Sequence, residues 1–377
     1  MKLSEICINI TDGKHGDCSN QFGSGYYFLS AKDIHDRILD YSTVREITKG
    51  DFLETHRRTN LEPGDILLTN SGTIGRMAIA RDDERTGRTT FQKSVAIIKP
   101  NKVLVNSEFL YYYLLSKNSE IVELAGGTTQ KNLLLGDLRC FEIPLPPLPE
   151  QRAVAEVLSS LDDKIELNRR MNRTLEQLAQ AIYKHMFVDN PEREGWGTKR
   201  LGEIADVNWG DTNTTKASYV TDGFIAFSAK GPDGYLPYYD FNVTGVVLSA
   251  IGANSGMTWL AQGKWSCIKN TIRFWSTSEE VSTEYLFMAT FGNEKWPLRG
   301  SAQPFISQTD ARNMLINVPE KGLAKKFGDL VNPLFSQMDH NTEQNKVLAE
   351  LRDTLLPKLM SGQVRVNGTT TSLEQDR

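Results

Sequence analysis

The sequence is poor in the residues that build metal and redox sites. It has four cysteines, Cys7, Cys18, Cys140 and Cys267, and five histidines, His15, His35, His56, His185 and His340. No two cysteines form a C-x-x-C pair and none has a histidine at zinc-finger spacing. A structural zinc is therefore not expected, and a reducing compartment is the economical reading. Long apolar runs are missing too. Nothing approaches the roughly 18 residues of a membrane span. The start, Met1-Lys2-Leu3-Ser4-Glu5-Ile6, lacks the apolar stretch of a secretion signal. The chain is expected in the cytoplasm. Positive charge is not in excess: 43 Lys and Arg against 47 Asp and Glu leave a net charge of −4. Bulk electrostatics would not hold such a chain on nucleic acid, so any such contact has to come from local patches inside a larger assembly.

What is present is a repeat. The 377 residues suffice for two or three domains. Leu3-Ser4-Glu5-Ile6 recurs as Leu201-Gly202-Glu203-Ile204, and Gly64-Asp65-Ile66-Leu67-Leu68-Thr69 as Gly245-Val246-Val247-Leu248-Ser249. Glu108-Phe109-Leu110-Tyr111 recurs as Glu284-Tyr285-Leu286-Phe287, and Gly127-Thr128-Thr129-Gln130 as Gly300-Ser301-Ala302-Gln303. Each match is weak, but their order is the same in both halves. The offset is 198 residues from Leu3 to Leu201 and 173 from Gly127 to Gly300, so the copies differ in their loops. Loops on a shared scaffold are where specificity differs.

Residues 150 to 187 carry a 4-3-4-3 apolar step through Val154, Leu158, Leu161, Ile165, Asn168, Asn172, Leu175, Ala179, Ile182 and Met186. That is a heptad seam, and it predicts one long helix. The same step recurs 173 residues on at Phe327, Val331, Leu334, Met338, Asn341, Asn345, Leu348, Arg352, Leu355 and Leu359, with Arg352 as the one departure. Asn168 with Asn172, and Asn341 with Asn345, fall at the centre of the two seams. A buried asparagine must find a partner and so fixes register. Central asparagines on both helices suit an antiparallel coiled coil; the competing reading is two amphipathic helices, each packed on its own domain. Prolines mark the first helix start in Ile143-Pro144-Leu145-Pro146-Pro147-Leu148-Pro149-Glu150, and Ile316-Asn317-Val318-Pro319 is a reduced version. Such a pair, about 55 Å long at 1.5 Å per residue, would hold two globular units a fixed distance apart.

Between the helices, short strand-like runs such as Val95-Ala96-Ile97-Ile98 and Thr271-Ile272-Arg273-Phe274 alternate with turns. A helix is predicted over Ser107 to Ser116. The fold class is α+β: two globular domains with mixed, mostly antiparallel sheets, separated by two long helices in a pseudo-twofold repeat. The expected boundaries are residues 1–148 for the first domain and 149–188 for the first helix. A linker and second domain follow at 189–318, the second helix at 319–364 and a flexible tail at 365–377.

Catalytic motifs are absent: there is no Walker A loop and no glycine-rich nucleotide fingerprint after a strand. Asn332-Pro333-Leu334-Phe335 approaches the Asn-Pro-Pro-aromatic loop of amino-methyltransferases, but it lacks the second proline and lies inside the heptad pattern. No catalytic residue and no metal ligand is assigned.

Several segments together resemble the specificity subunits of Type I restriction–modification systems. They are Ile10-Thr11-Asp12-Gly13-Lys14-His15, Phe28-Leu29-Ser30-Ala31-Lys32-Asp33-Ile34, and Pro63-Gly64-Asp65-Ile66-Leu67-Leu68 with Gly72-Thr73-Ile74-Gly75. The set continues with Gly127-Thr128-Thr129-Gln130-Lys131-Asn132, the proline segment through Gln151, and Leu355-Leu356-Pro357-Lys358-Leu359-Met360-Ser361-Gly362. The resemblance covers almost the whole chain up to Val366. It implies a non-catalytic chain in which each domain reads one half of a split sequence in double-stranded DNA. It further implies that the helices measure the unread gap and dock two methyltransferase subunits, which motor–nuclease subunits join. The complex would be a restriction endonuclease and adenine-N6 DNA methyltransferase. S-adenosylmethionine, ATP and magnesium would belong to the partners, and the target adenine would be flipped into a partner's pocket.

Base reading needs paired donors and acceptors, and phosphate contact needs cations or backbone amides. In the first domain the candidates are Lys14, His15, Ser30, Lys32, Gly72, Thr73, Arg76, Gln92, Lys93, Thr128, Thr129, Gln130 and Lys131. In the second they are Ser228, Lys230, Asn254, Ser255, Lys269, Asn270, Ser301 and Gln303. The run Arg76, Arg81, Arg85, Arg88 and Lys93 is broken by Asp82, Asp83 and Glu84, so a phosphate track and a solvated hairpin both remain open. A coiled-coil interaction scaffold or regulatory paralogue with no DNA readout is the competing function.

Overall fold

The computed structural model describes residues 1–35, 37–127, 131–300 and 303–366. Candidates Thr128, Thr129, Gln130 and Ser301, and the tail beyond Val366, lie outside the described residues. The chain divides into two compact units. One holds residues 1–166 and the chain from 345 onward; the other holds residues 167–344. The division therefore falls inside both long helices, not at their starts.

The first unit is built on a four-stranded antiparallel sheet in the order Cys7–Asp12, Val95–Pro100, Ile66–Thr69, Met77–Ile79. All residues of Ile66–Thr69 and Val95–Pro100 are buried, as expected for central strands covered on both faces. A smaller sheet pairs Tyr27–Leu29 with Thr89–Phe91 in parallel and with Arg45–Glu46 antiparallel. The second unit repeats this plan. Its main sheet runs Ala205–Trp209, Thr271–Ser276, Gly245–Ser249, Thr258–Ala261, again antiparallel. Phe224–Ser228 pairs in parallel with Lys264–Cys267. The mostly antiparallel expectation thus holds, with one parallel pair in each unit. The difference in length between the copies has a place: the first unit carries a hairpin, Ile34–His35 with Ile38–Leu39, and the helix Lys49–Thr59. Lys49–Thr59 is capped by the Thr48 side chain at its start and closed by Asn60 at φ 37°.

The predicted short helix is Ser107–Ser116, capped by the Asn106 side chain accepting from Phe109 N. The long helices are Leu148–Tyr183, followed by a π turn at Lys184–Val188, and Leu323–Met360. The predicted span of 150 to 187 is thus met, with its last turn widened. Every heptad position named above is buried or half-buried. Gln151, in the first turn, is buried; its side chain donates to Pro146 O at 2.8 Å and accepts from Asn106 N at 2.8 Å, fixing the proline segment to the start of the Ser107–Ser116 helix. Pro333 sits mid-helix within Leu323–Met360 and belongs to no loop.

In the first unit, Val154, Ala155 and Leu158 pack in one core with Leu356 and Leu359. In the second, Ala179 and Ile182 pack in one core with Phe327, Val331 and Leu334. The helices therefore pair antiparallel within each unit. The asparagines do as expected. Asn341 Nδ2 donates to Asn172 Oδ1 at 2.8 Å, and Asn172 Nδ2 donates to Met338 O at 3.1 Å. Asn168, fully buried, donates to Gln344 Oε1 at 2.8 Å, and Asn345 is half-buried. Among the described residues no helix is long and apolar enough to cross a membrane, and no cluster of His, Cys, Asp and Glu could hold a metal ion.

Candidate nucleic-acid interface

The loops at one end of each main sheet converge. In the first unit Asn70 N donates to Ser94 O at 3.0 Å, and Leu133 N donates to Asn70 O at 2.8 Å. These bonds bring three loops together: Ser71–Arg76, Gln92–Ser94 and the segment at Lys131. Lys93 N donates to Lys14 O at 3.0 Å and Gln92 N to Leu29 O at 2.8 Å, which adds the segments of Lys14 and Ser30. The second unit repeats three of these bonds and redirects the fourth, from Lys269, to Thr214. Ala250 N donates to Asn270 O at 3.0 Å, Ile306 N to Ala250 O at 2.8 Å, Lys269 N to Thr214 O at 3.2 Å and Ile268 N to Phe227 O at 2.9 Å.

Glycine makes the close approach possible. A Cβ on Gly13 would lie 2.0 Å from Phe91 O, and one on Gly210 would lie 2.7 Å from Cys267 O. Only glycine fits where two backbones meet this closely. The residue after each glycine then bridges a neighbouring strand end, Lys14 to Gln92 and Asp211 to Ile268.

Within this cluster Gly72, Thr73, Arg76, Gln92, Lys93, Lys131 and Lys32 are exposed in the first unit, as are Lys230, Lys269 and Gln303 in the second. These can meet a ligand without rearrangement. Gly72 has φ 74°, and Thr69 Oγ1 closes the loop by donating to Thr73 O and accepting from Arg76 N.

Other candidates are engaged inside the chain. The Lys14 ammonium meets Asp51 at 2.7 Å and Glu54 at 3.1 Å. The hydrogen bond from Lys14 is the main reason the Asp51 carboxyl is held at about 2, helped by Ser19 N–H and the Thr48 hydroxyl. A cation already carrying two carboxylates has little left for a phosphate, and its counterpart Asp211 is itself an anion. His15 is mostly exposed and lies 3.0 Å from Asp12 Oδ2. Ser30 donates to Asp33 at 3.0 Å, and Ser228, buried, donates to Asp233 at 2.9 Å. Ser255 is buried and donates to Gly252 O at 2.8 Å and Pro304 O at 2.9 Å, so it shapes its loop. Asn254 reaches Ala229 O at 3.2 Å, and Asn270 takes φ 73° to turn the chain.

The basic run divides. Arg81 pairs with Asp163 at 3.0 Å, and Arg85 pairs with Asp83 at 2.7 Å and covers the Tyr41 ring. Arg76, Arg88 and Lys93 are exposed. One residue escaped the sequence reading. Asn70 is 5% exposed at the strand end beside this cluster, and its Oδ1 has no partner among the described residues. Its only signal was its place directly after Leu67-Leu68-Thr69.

Residues 1–177 match the Type I restriction modification DNA specificity domain. The MjaIX specificity subunit of Methanocaldococcus jannaschii is 29% identical over 392 residues, covering 92% of this chain and 88% of that protein. Along most of its length the chain is thus similar to Type I specificity subunits. The HindI specificity subunit of Haemophilus influenzae is a more distant relative, 23% identical over 71% of this chain and 80% of its own. The crystal structure of a Type I S subunit from M. genitalium shares its fold, with a TM-score of 0.64 at 18% identity over 95% of both chains.

Proposed function

We propose that this chain is a Type I specificity subunit that reads a two-part target in double-stranded DNA, one half with each unit, and that the helix pair sets the unread gap. The observation that carries the reading is the recurrence, in both units, of three backbone-bonded loops at one sheet end, with exposed lysines at matching places, Lys32 and Lys230, Lys93 and Lys269. Their cations would position phosphates, and Gln92, Thr73 and Gln303 would face base edges. Two methyltransferase subunits would dock on the helices and carry S-adenosylmethionine; motor–nuclease subunits would bring ATP and magnesium. Adenine-N6 methylation would then be the partners' chemistry, directed by this chain in the cytoplasm.

The test is genome methylation mapping with and without the gene, in a host that supplies the methyltransferase subunits. A two-part adenine motif should appear only with the gene. Exchanging the first recognition domain for that of another family member should rewrite one half of the motif and leave the other. A motif indifferent to that exchange would mean a scaffold. Removing one heptad from each helix shortens the pair by about 10 Å, or about three base-pair steps. An unchanged gap in that variant would rule out the measuring role.

A further inference from the structure

In the first unit two adjacent carboxylates of the first long helix gather groups from four other segments. Asp162 is 9% exposed and accepts from Tyr112 Oη at 2.6 Å and from Arg352 Nη1 at 2.6 Å. Asp163 accepts from Arg37 Nη1 at 2.8 Å and Arg81 Nη2 at 3.0 Å. Arg37 sends its other arm to Glu108 at 2.7 Å and lies over the Tyr112 ring. Its backbone has φ 69° and its side chain is almost fully buried. A non-glycine residue holds that conformation only where its surroundings impose it. The hairpin turn, the strand end, the Ser107–Ser116 helix and both long helices are thus tied by planar guanidinium forks.

Stability alone does not account for this arrangement. Replacing a buried ion pair with apolar side chains is often neutral or stabilising. The second unit shows that choice: the positions 173 residues from Asp162 and Arg352 hold Phe335 and Ala179, both buried. There the rings of Tyr183, Phe187, Tyr285 and Phe327 interlock at centroid distances of 4.7–5.9 Å. Where such rings are not used, fork geometry supplies the fixed angle that plain apolar contact does not.

We propose that Asp162 and Asp163 are positioning residues for DNA reading: they lock the angle of the first recognition sheet on the helix pair and so fix the spacing at which its half-site is read. This rests on the two-part reading above. One base-pair step is about 3.4 Å, so slack of that size at the sheet end would admit a neighbouring gap.

The test uses the full chain with its methyltransferase partners and a plasmid library in which the two half-sites are separated by every gap near the preferred one. The variants are Asp162→Asn, Asp163→Asn and Arg352→Lys; the last keeps charge but loses the fork. The expected result is an unchanged pair of half-site sequences with the preference for one gap over its neighbours reduced about tenfold. Asp163 is half-exposed, so Asp163→Asn keeps the fold even where Asp162→Asn does not. Methylation that falls equally at every gap, or an unchanged gap preference in all three variants, overturns the lock. A wild-type chain that directs no two-part motif overturns the DNA-reading proposal instead.

Discussion

The two units share a sheet order and a set of loop bonds, yet they grip their helices differently. The first uses Asp162, Asp163, Arg37, Arg81 and Arg352; the second uses Phe335, Phe327, Phe187 and Tyr285. The same backbone problem has an ionic and an aromatic solution. The ionic one is worth little in net stability but is intolerant of losing a member, because a lone buried charge has no substitute for water. The aromatic one is worth much in burial and degrades gradually.

Mutations can break this comparison. The largest effect is expected at Phe327→Ala, which opens a hole beside the Tyr183 and Phe187 rings and should cost about 4 kcal/mol, read as a lowered denaturant midpoint confined to the second unit by hydrogen exchange. Next, Arg352→Ala strands Asp162 and should cost the first unit about 3 kcal/mol, whereas Asp162→Leu with Arg352→Leu should stay within about 1 kcal/mol of the parent. A double variant as damaging as the single would mean that the pair supplies stability after all. Smaller again, Lys93→Ala and Lys269→Ala should each weaken DNA binding and lower the slope of log affinity against log salt by about 1. Equal slopes in both variants would show that the exposed loops act alike even though the grips do not. The smallest effect concerns reagents: Cys140 is exposed and should label first, while burial pushes the Cys7 and Cys267 thiols up to about 12 and keeps them inert near neutral pH.

Much of this was legible in the sequence for a physical reason. Heptad spacing and helix caps are local, so Ser107–Ser116 was found to the residue and no seam position proved exposed. The Arg352 departure was visible but not its meaning, since the partner Asp162 sits on another helix, 190 residues away. Lys14 shows the same limit: a lysine beside a glycine turn resembles a phosphate ligand, and only the fold places Asp51 and Glu54 of the Lys49–Thr59 helix against its ammonium. The parallel strand pairs were also invisible, because pairing direction depends on the crossover and not on composition.

One feature bears on how such chains recombine. Each compact unit is completed by half of each long helix, and within the second unit those halves begin where Asn168 bonds Gln344 and Asn172 bonds Asn341. A crossover at residue 148 would strand Val154 and Leu158 without the sheet they were matched to. A pair of crossovers beside the asparagine layer would instead keep each core with the helix halves it was matched to. Amides of standard geometry are interchangeable between homologous chains in a way that fitted apolar surfaces are not. The polar centre is therefore where this gene can be cut and rejoined with least damage to either core.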